Sequence, residues 1–463
     1  MAKKLPNLLF FGIDSLRRTH MSHYGYGKLT TPHITKYAEG GVTFDNCFSA
    51  HIPTTSGYSN MMTGRDCFGT NVVALRHQGD IAPGVPVLAE MLREAGYTTT
   101  CVGFQGNVGG RGYDKYLSFA GWGPDHDDGR AHKAENLNDV TLPELDRLAK
   151  QDQPFMLFLR HMDPHAPYLA PAPFKDMFFQ GDAFDPADKR MQKVYDFKPF
   201  RDFHMSWIPK GTTNPEYVIA QYDAEVAYMD ACIQIILERL AALGLEEDTL
   251  VVFTSDHGET LYDHDCHFDH HGLYDPTLTV PLIFRWKGHL PEGKRFGDTC
   301  QLKDVTPTVL DIMGIKPKVK FDGRSLYPVV KGEPREAEPE FYITECTWMR
   351  KHGWRTPEWK LICALEPDFH NKPPMELYNL IKDPAESRNL VDAEPEVAAM
   401  LKARMERHIA SREKQTGRTN PMYTNLSWHG FDRGPFTSYE EAYNTLHIGD
   451  VEAARKLQAK MRK

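Results

Sequence analysis

Leu250–Phe284 reads LVVFTSDHGETLYDHDCHFDHHGLYDPTLTVPLIF, and the rest of the chain is organised around it. It opens on the apolar, β-branched run Leu250–Thr254 and closes on Val280-Pro281-Leu282-Ile283-Phe284, both with the character of buried strands in a parallel sheet. Between them stand Asp256, His257, Glu259, Asp263, His264, Asp265, His267, Asp269, His270, His271 and Asp275. Open α/β sheets place their ligand sites beyond the carboxyl ends of strands. A mixture of carboxylate and imidazole donors suits a divalent cation such as zinc or manganese. A solvated loop would also be rich in acids; the density of imidazoles and the two flanking strands favour the metal.

At 463 residues the chain exceeds one ordinary domain, which predicts a large α/β domain with a smaller companion. A formal charge of −9 argues against a nucleic-acid binder, whose footprint is basic. No apolar run is long enough to span a bilayer. Two lysines precede the apolar start, yet that run is short and passes directly into Asp14 without a small-residue cleavage site. A first core strand and a cytoplasmic protein are therefore expected. Eight cysteines without CxxC spacing predict reduced thiols rather than a disulfide framework.

Outward from the opening stretch, several strand ends carry chemistry. Asn7–Ile13 reads as a strand ending at Asp14, a carboxylate placed either to ligate a metal or to cap the next helix. Val42–Ser49 is a second strand that delivers the chain into Thr54-Thr55-Ser56-Gly57-Tyr58 and a short helix ended by Gly64. A hydroxyl there is most commonly an N-cap; it also fits a nucleophile eased by the helix N-terminus. Tyr97–Val102 is a strand followed by Gly103-Phe104-Gln105-Gly106-Asn107. Phe155–Leu159 runs into His161-Met162-Asp163-Pro164-His165, where paired histidines at a strand end suggest a substrate corner. Residues 174–215 show little periodicity and read as an insertion over the active face. Glu216–Leu243 is a long helix. Beyond about Gly332, short alternating segments at Glu340–Cys346, Trp359–Ala364 and Glu376–Asn379, then a helix at Pro395–Arg412, predict an α+β unit with an antiparallel sheet. The expected organisation is a catalytic domain over residues 1–332, a smaller domain over 333–414, and a tail over 415–463 with short helical stretches near Tyr439–Tyr443 and Val451–Met461. The tail is suited to packing on another subunit, so a homo-oligomer is expected.

Taken together and in order, these pieces resemble the sulfatase branch of the alkaline phosphatase superfamily over nearly the whole chain. The matching residues are Gly12-Ile13-Asp14-Ser15-Leu16-Arg17 with Tyr24-Gly25-Tyr26, Thr63-Gly64-Arg65, His161 through Tyr168, Tyr222 through Asp230, Ser255-Asp256-His257-Gly258-Glu259, Asp322-Gly323-Arg324-Ser325-Leu326 and Glu376-Leu377-Tyr378-Asn379-Leu380. The resemblance implies a large, mostly parallel mixed sheet sandwiched by helices, with a smaller C-terminal α+β domain. It implies a divalent ion (zinc, manganese or calcium) held by Asp14, Asp256, His257 and the nucleophile, and a small-molecule ester as substrate.

Four departures from the family pattern shape the expected chemistry. The nucleophile position falls on Thr54, within Thr54-Thr55-Ser56-Gly57-Tyr58, where sulfatases carry a cysteine or serine that is oxidised to formylglycine. Threonine cannot become formylglycine, and relatives with threonine there use it directly on phosphorus esters. Many members have a second aspartate where this chain has Ser15. The segment supplying lysine and histidine to the sulfate group falls on Gly103–Gly106, which leaves Gln105 or Asn107 as substitute donors. The lysine that follows the metal loop falls on His270 or His271. The resemblance thus implies hydrolysis of a phosphodiester or phosphonate monoester, with His165 and His270 or His271 in catalysis, His161 near substrate, and Arg17 orienting Asp14 or the threonine loop. A sulfatase without formylglycine and a phospho-group transferase are the alternatives.

Overall fold

The computed structural model describes residues 5–75, 80–121, 133–198, 201, 205, 207–336, 338–347, 349–368, 370–425 and 438–445. Among the described residues nine strands precede residue 302: β1 Asn7–Ile13, β2 Val42–Phe48, β3 His51–Ile52, β4 Thr98–Val102, β5 Lys115–Leu117, β6 Phe155–His161, β7 Thr249–Ser255, β8 Thr279–Arg285 and β9 Lys294–Gln301. All but β3 form one sheet in the order β5-β4-β6-β1-β7-β8-β2-β9. Within it only β8 runs against its neighbours, so the sheet is mixed and mostly parallel. Buried β1 (NLLFFGI) lies at its centre, parallel to β6 and β7 and in register from Leu8 opposite Met156 and Leu250 to Ile13 opposite His161 and Ser255. Because the three strands end level, Asp14, Asp256 and the His161–His165 corner emerge at one edge.

Helices cover both faces, as the near-continuous apolar strands require. One face packs Leu9, Phe11, Leu157, Leu159, Val251 and Phe253 against helices Lys133–Leu148 and Pro215–Ala242. The other packs Leu8, Phe10, Phe158, Val252 and Leu282 against helices Thr54–Thr63, Leu88–Glu94 and Val305–Met313. The long helix also pins the loop after β1. Tyr222 donates to the Ser15 carbonyl and accepts from the Arg17 amide, Asp223 binds His20, Tyr26 and Lys28, and Asp230 accepts from the amides of His33 and Ile34.

The second sheet has the order β13-β12-β11-β10-β3, with β10 Phe341–Cys346, β11 Arg350–Arg355, β12 Trp359–Ala364 and β13 Met375–Asn379. Its later strands are antiparallel, whereas β3 adds in parallel to β10, pairing His51 with Thr344 and Ile52 with Glu345. The expected boundary near residue 332 therefore separates the sheets except at β3, two residues before Thr54. One sheet face carries helix Pro395–Thr416 through Ala398, Leu401, Met405 and Ile409. The other face, with Phe341, Ile343, Ile362 and Tyr378, packs on Cys266, Leu273, Tyr274 and Leu278 of the loop between β7 and β8. The C-terminal sheet thus backs the loop that holds the expected metal ligands.

Several expected boundaries shift by a residue or more, and β3, β5, β9 and β11 are additional strands. In the region 174–215 the described residues are mostly irregular, with short helices at Phe174–Asp176 and Gln192–Asp196. In the tail a helix covers Tyr439–Thr445; the stretch expected near Val451–Met461 lies outside the described residues. All eight cysteines are buried free thiols. Among the described residues no helix is long and apolar enough to cross a membrane.

Candidate active site

β1, β7 and the start of helix Thr54–Thr63 bring four groups together. Single ligand atoms of Asp14, Asp256 and His257 lie within 4.8 Å of one another, all buried. The Thr54 hydroxyl faces His257, with Oγ1 to Nε2 at 3.1 Å. Pro53 occupies the N-cap position and Thr54 is the first helical residue, with its hydroxyl paired to His257. The capping role that such a turn most often predicts is therefore not the one observed. The neighbouring hydroxyls are used structurally, Thr55 donating to the Leu75 carbonyl at 2.5 Å and Ser56 to that of Val73 at 2.7 Å.

Two glycines set the approach of these elements. A Cβ on Gly57 would stand 2.5 Å from the Asp256 carbonyl oxygen, so the Thr54 helix rests directly on the metal loop. A Cβ on Gly258 would meet the Pro276 carbonyl oxygen at 2.0 Å. The His257 ring is fixed by Nδ1, 2.8 Å from the Gly258 carbonyl oxygen, which places the proton on Nδ1 and turns the Nε2 lone pair toward Thr54, Asp256 (3.4 Å) and Asp14 (3.9 Å). Burial, reinforced by the charge of His270, pulls the His257 pKa down to about 3, so the imidazole is neutral and free to ligate.

Burial would raise the Asp14 carboxyl, but the Arg160 guanidinium against it, with the nearby histidines, holds it well below the usual range. Burial and the Asp14 charge push Asp256 well above it. Two buried carboxylates at such close quarters carry full charge together only when a cation compensates them. Asp256 Oδ1 accepts from the amides of Ser15 (3.2 Å) and His257 (2.9 Å), whereas its Oδ2 has no hydrogen-bond partner among the described residues. A buried oxygen left open beside a neutral imidazole and a second carboxylate fits a divalent cation. Ser15 offers its hydroxyl to Asp14 Oδ1 at 3.1 Å.

The two candidate histidines of the metal loop diverge. His270 faces the site, its ring 4.6 Å from that of His257 and 5.6 Å from that of His165. Its Nδ1 pairs with Asp269 at 2.9 Å, and although burial opposes the charge, Asp269 and Glu259 raise its pKa to about 10, so it is an imidazolium at neutral pH. His271 turns the other way, with Nδ1 3.0 Å from His370 Nε2. His165 bonds the Ala166 carbonyl through Nδ1 at 2.7 Å, and burial lowers its pKa to about 4.

Other expected positions divide. Gln105 and Asn107 line a cleft of about 310 Å³ with Phe104, Phe119, Arg160 and Met162. Asn107 also accepts from the Gly109 amide at 2.9 Å and reaches the Thr55 hydroxyl at 3.4 Å. His161 points into the core, 5.8 Å from the Phe11 ring, with neither ring nitrogen hydrogen-bonded to a described residue. Arg17 does not orient Asp14; it binds Asp263 at 2.5 Å and the Glu259 carbonyl at 3.4 Å, bracing the metal loop.

Two residues escaped the sequence reading. Arg160, one residue before His161, projects to the opposite face of β6 and pairs with Asp14. The alternation of β6 was the signal, because the face of Met156 and Phe158 is the face of the Thr54 helix. Lys133 is buried beneath the substrate corner, 2.9 Å from Asp163 and donating to the carbonyls of His165 (2.7 Å) and Pro167 (3.3 Å). Nothing local in the sequence marks it.

Residues 6–315 match the sulfatase family model, about two thirds of the chain. The protein belongs to the sulfatase family. Residues 263–415 match a second family model, described as the C-terminal region of N-sulphoglucosamine sulphohydrolase. The chain is 24% identical to a choline-sulfatase of Rhizobium meliloti, across 84% of this chain and 82% of that one. It is also 24% identical to the multifunctional alkaline phosphatase superfamily protein PehA of Trinickia caryophylli, across 90% and 97%. In three dimensions it superposes on the phosphonate monoester hydrolase of Agrobacterium radiobacter with a TM-score of 0.68 at 22% identity, covering 89% of this chain and 96% of that one. Sulfatase-family proteins are hydrolases that use a divalent metal, and the Asp14, Asp256 and His257 cluster suits that use.

Proposed function

We propose that this sulfatase-family hydrolase cleaves phosphorus esters, a phosphodiester or phosphonate monoester, with Thr54 as nucleophile. The observation that carries this reading is the Thr54 hydroxyl, on the first helical residue after the Pro53 N-cap and 3.1 Å from His257 Nε2 within the Asp14–Asp256–His257 group. A threonine has no route to the aldehyde that a cysteine or serine would give, so the hydroxyl itself must react.

Asp14, Asp256, His257 and Thr54 would hold the divalent ion. When bound, it supplies Lewis-acid stabilisation of the ester and lowers the pKa of a coordinated hydroxyl. Thr54 would enter the reaction with its hydroxyl proton already lost to solvent, and Oγ attacks phosphorus in line with the leaving oxygen. The Thr54–phosphorus bond forms as the bond to the leaving alkoxide breaks. His270, protonated through its pairing with Asp269, gives that alkoxide a proton, and neutral His165 hydrogen-bonds beside it. His270, now neutral, takes a proton from the incoming water, whose oxygen bonds to phosphorus as the Thr54–phosphorus bond breaks, releasing the phosphorus group and returning Thr54 Oγ in its deprotonated form.

The superposition on a phosphonate monoester hydrolase and the similarity to PehA support phosphorus chemistry. The similarity to choline-sulfatase and to an N-acetylglucosamine-6-O-sulfatase favours a second reading, sulfate ester hydrolysis through the same threonine. Metal-loaded protein assayed on p-nitrophenyl phosphate, bis-p-nitrophenyl phosphate, p-nitrophenyl phenylphosphonate and p-nitrophenyl sulfate separates them. The reading predicts faster turnover of a phosphorus ester; sulfate turnover outpacing every phosphorus ester would overturn it.

A further inference from the structure

The loop Gly103–Asn107, which borders the cleft beside the site, contains no cationic side chain. Arg160 also lines that cleft. Its guanidinium donates to Asp14 through Nη2, lies 5.0 Å from the Phe104 ring centre, and lies 5.9 Å from that of Tyr58, one turn beyond Thr54. The Nε atom is buried and has no hydrogen-bond partner among the described residues.

The salt bridge to Asp14 occupies one nitrogen of Arg160. A guanidinium carries five N–H donors in a rigid plane whose geometry matches tetrahedral oxyanions. A buried Nε–H without a partner is costly unless a ligand meets it. The cleft walls combine Phe104, Phe119 and Met162 with the amides of Gln105 and Asn107. Such a lining receives a neutral aryl or alkyl group bearing a hydrogen-bonding substituent.

We propose that Arg160 binds a non-bridging oxygen of the ester while holding Asp14, and that the cleft it lines seats the ester's neutral organic substituent. This rests on the site being an oxyanion-ester site but not on the choice between phosphorus and sulfur, nor on Thr54 being the nucleophile. Arg160 acts both on substrate and through Asp14, so its test has to separate the two.

Wild type, Arg160→Gln and Arg160→Lys, each loaded with manganese, would be titrated with inorganic phosphate and with sulfate by calorimetry, and their bound metal counted. The expected result is anion affinity roughly 10- to 100-fold weaker in Arg160→Gln, the loss of one charge-assisted contact, at unchanged metal content. Arg160→Lys should recover part of it, because it keeps the charge but not the planar fork. Unchanged anion affinity in Arg160→Gln would overturn the proposal. So would a loss that follows metal content in both variants, which would leave Arg160 as a support of Asp14 alone. A wild type that binds sulfate in preference to phosphate would tell against the phosphorus reading while leaving the Arg160 comparison intact.

Discussion

Gly57→Ala tests whether the contact between the Thr54 helix and the metal loop sets the catalytic geometry. The added methyl carbon would lie 2.5 Å from the Asp256 carbonyl oxygen and 3.2 Å from Asp256 Cβ, whereas ordinary contact begins at 3.4 Å. The helix must therefore retreat by about 0.9 Å, and Thr54 sits one turn before the point of pressure. Alanine in a helix interior gains about 1 kcal/mol over glycine, and overpacking costs about 1–3 kcal/mol. The net stability change should then fall between about zero and 2 kcal/mol of destabilisation. A displacement near 1 Å at a reacting group costs on the order of 100-fold in rate, so activity should fall far more than stability. Urea unfolding together with kcat/KM on the best p-nitrophenyl ester would measure both. Gly297→Ala, at a glycine with nothing within 4 Å of the added carbon, is the control. Full activity with raised stability in Gly57→Ala would show that the Thr54 helix moves freely against the loop, and would refute the reasoning.

Three further outcomes follow from named contacts. His270→Gln should reduce kcat/KM by roughly 100-fold or more through loss of proton transfer, whereas His271→Gln, whose ring bonds His370, should lower stability and spare kcat; equal kinetic losses would contradict the assignment. Lys133→Met should destabilise the fold by about 3–5 kcal/mol, because Asp163 and Glu225 are left buried near one another without their cation; urea midpoints read this directly. His161 is fully buried, and its pKa falls from 6.5 to about 4. Its contribution to stability is complete above pH 6.5 and is lost as pH falls toward 4, at up to about 1.4 kcal/mol per pH unit. His161→Phe should flatten that part of the stability profile and leave turnover intact, and an unchanged profile with lost turnover would return His161 to the site.

Much of the site was legible because its residues lie at strand ends. Asp14 follows β1, Asp256 and His257 follow β7, and the apolar runs that announce those strands also place the polar residues after them at one edge. Side-chain direction was less legible. His161 and Arg160 are adjacent on β6, and only period-two alternation against the known face of Phe158 tells which enters the site. His270 and His271 pose the same problem in a loop, where no period exists, and the contact of His271 with His370, distant in sequence, decides it. Lys133 and β3 depend on contacts with segments distant in sequence, the His165 corner and β10 respectively, so no local pattern encodes them. The Thr54 hydroxyl was ambiguous for a related reason: whether it caps its helix or faces a metal depends on where His257 lies.

The central claim is that Thr54 carries the reacting group between the two half-reactions. Metal-loaded enzyme turning over a p-nitrophenyl phosphorus ester labelled at phosphorus would be quenched in acid, digested and mapped by mass. The account predicts label on the peptide containing Thr54, localised to that residue and absent from Thr54→Ala, which should also be inactive. Label on another residue, or turnover by Thr54→Ala at the wild-type rate, would contradict it.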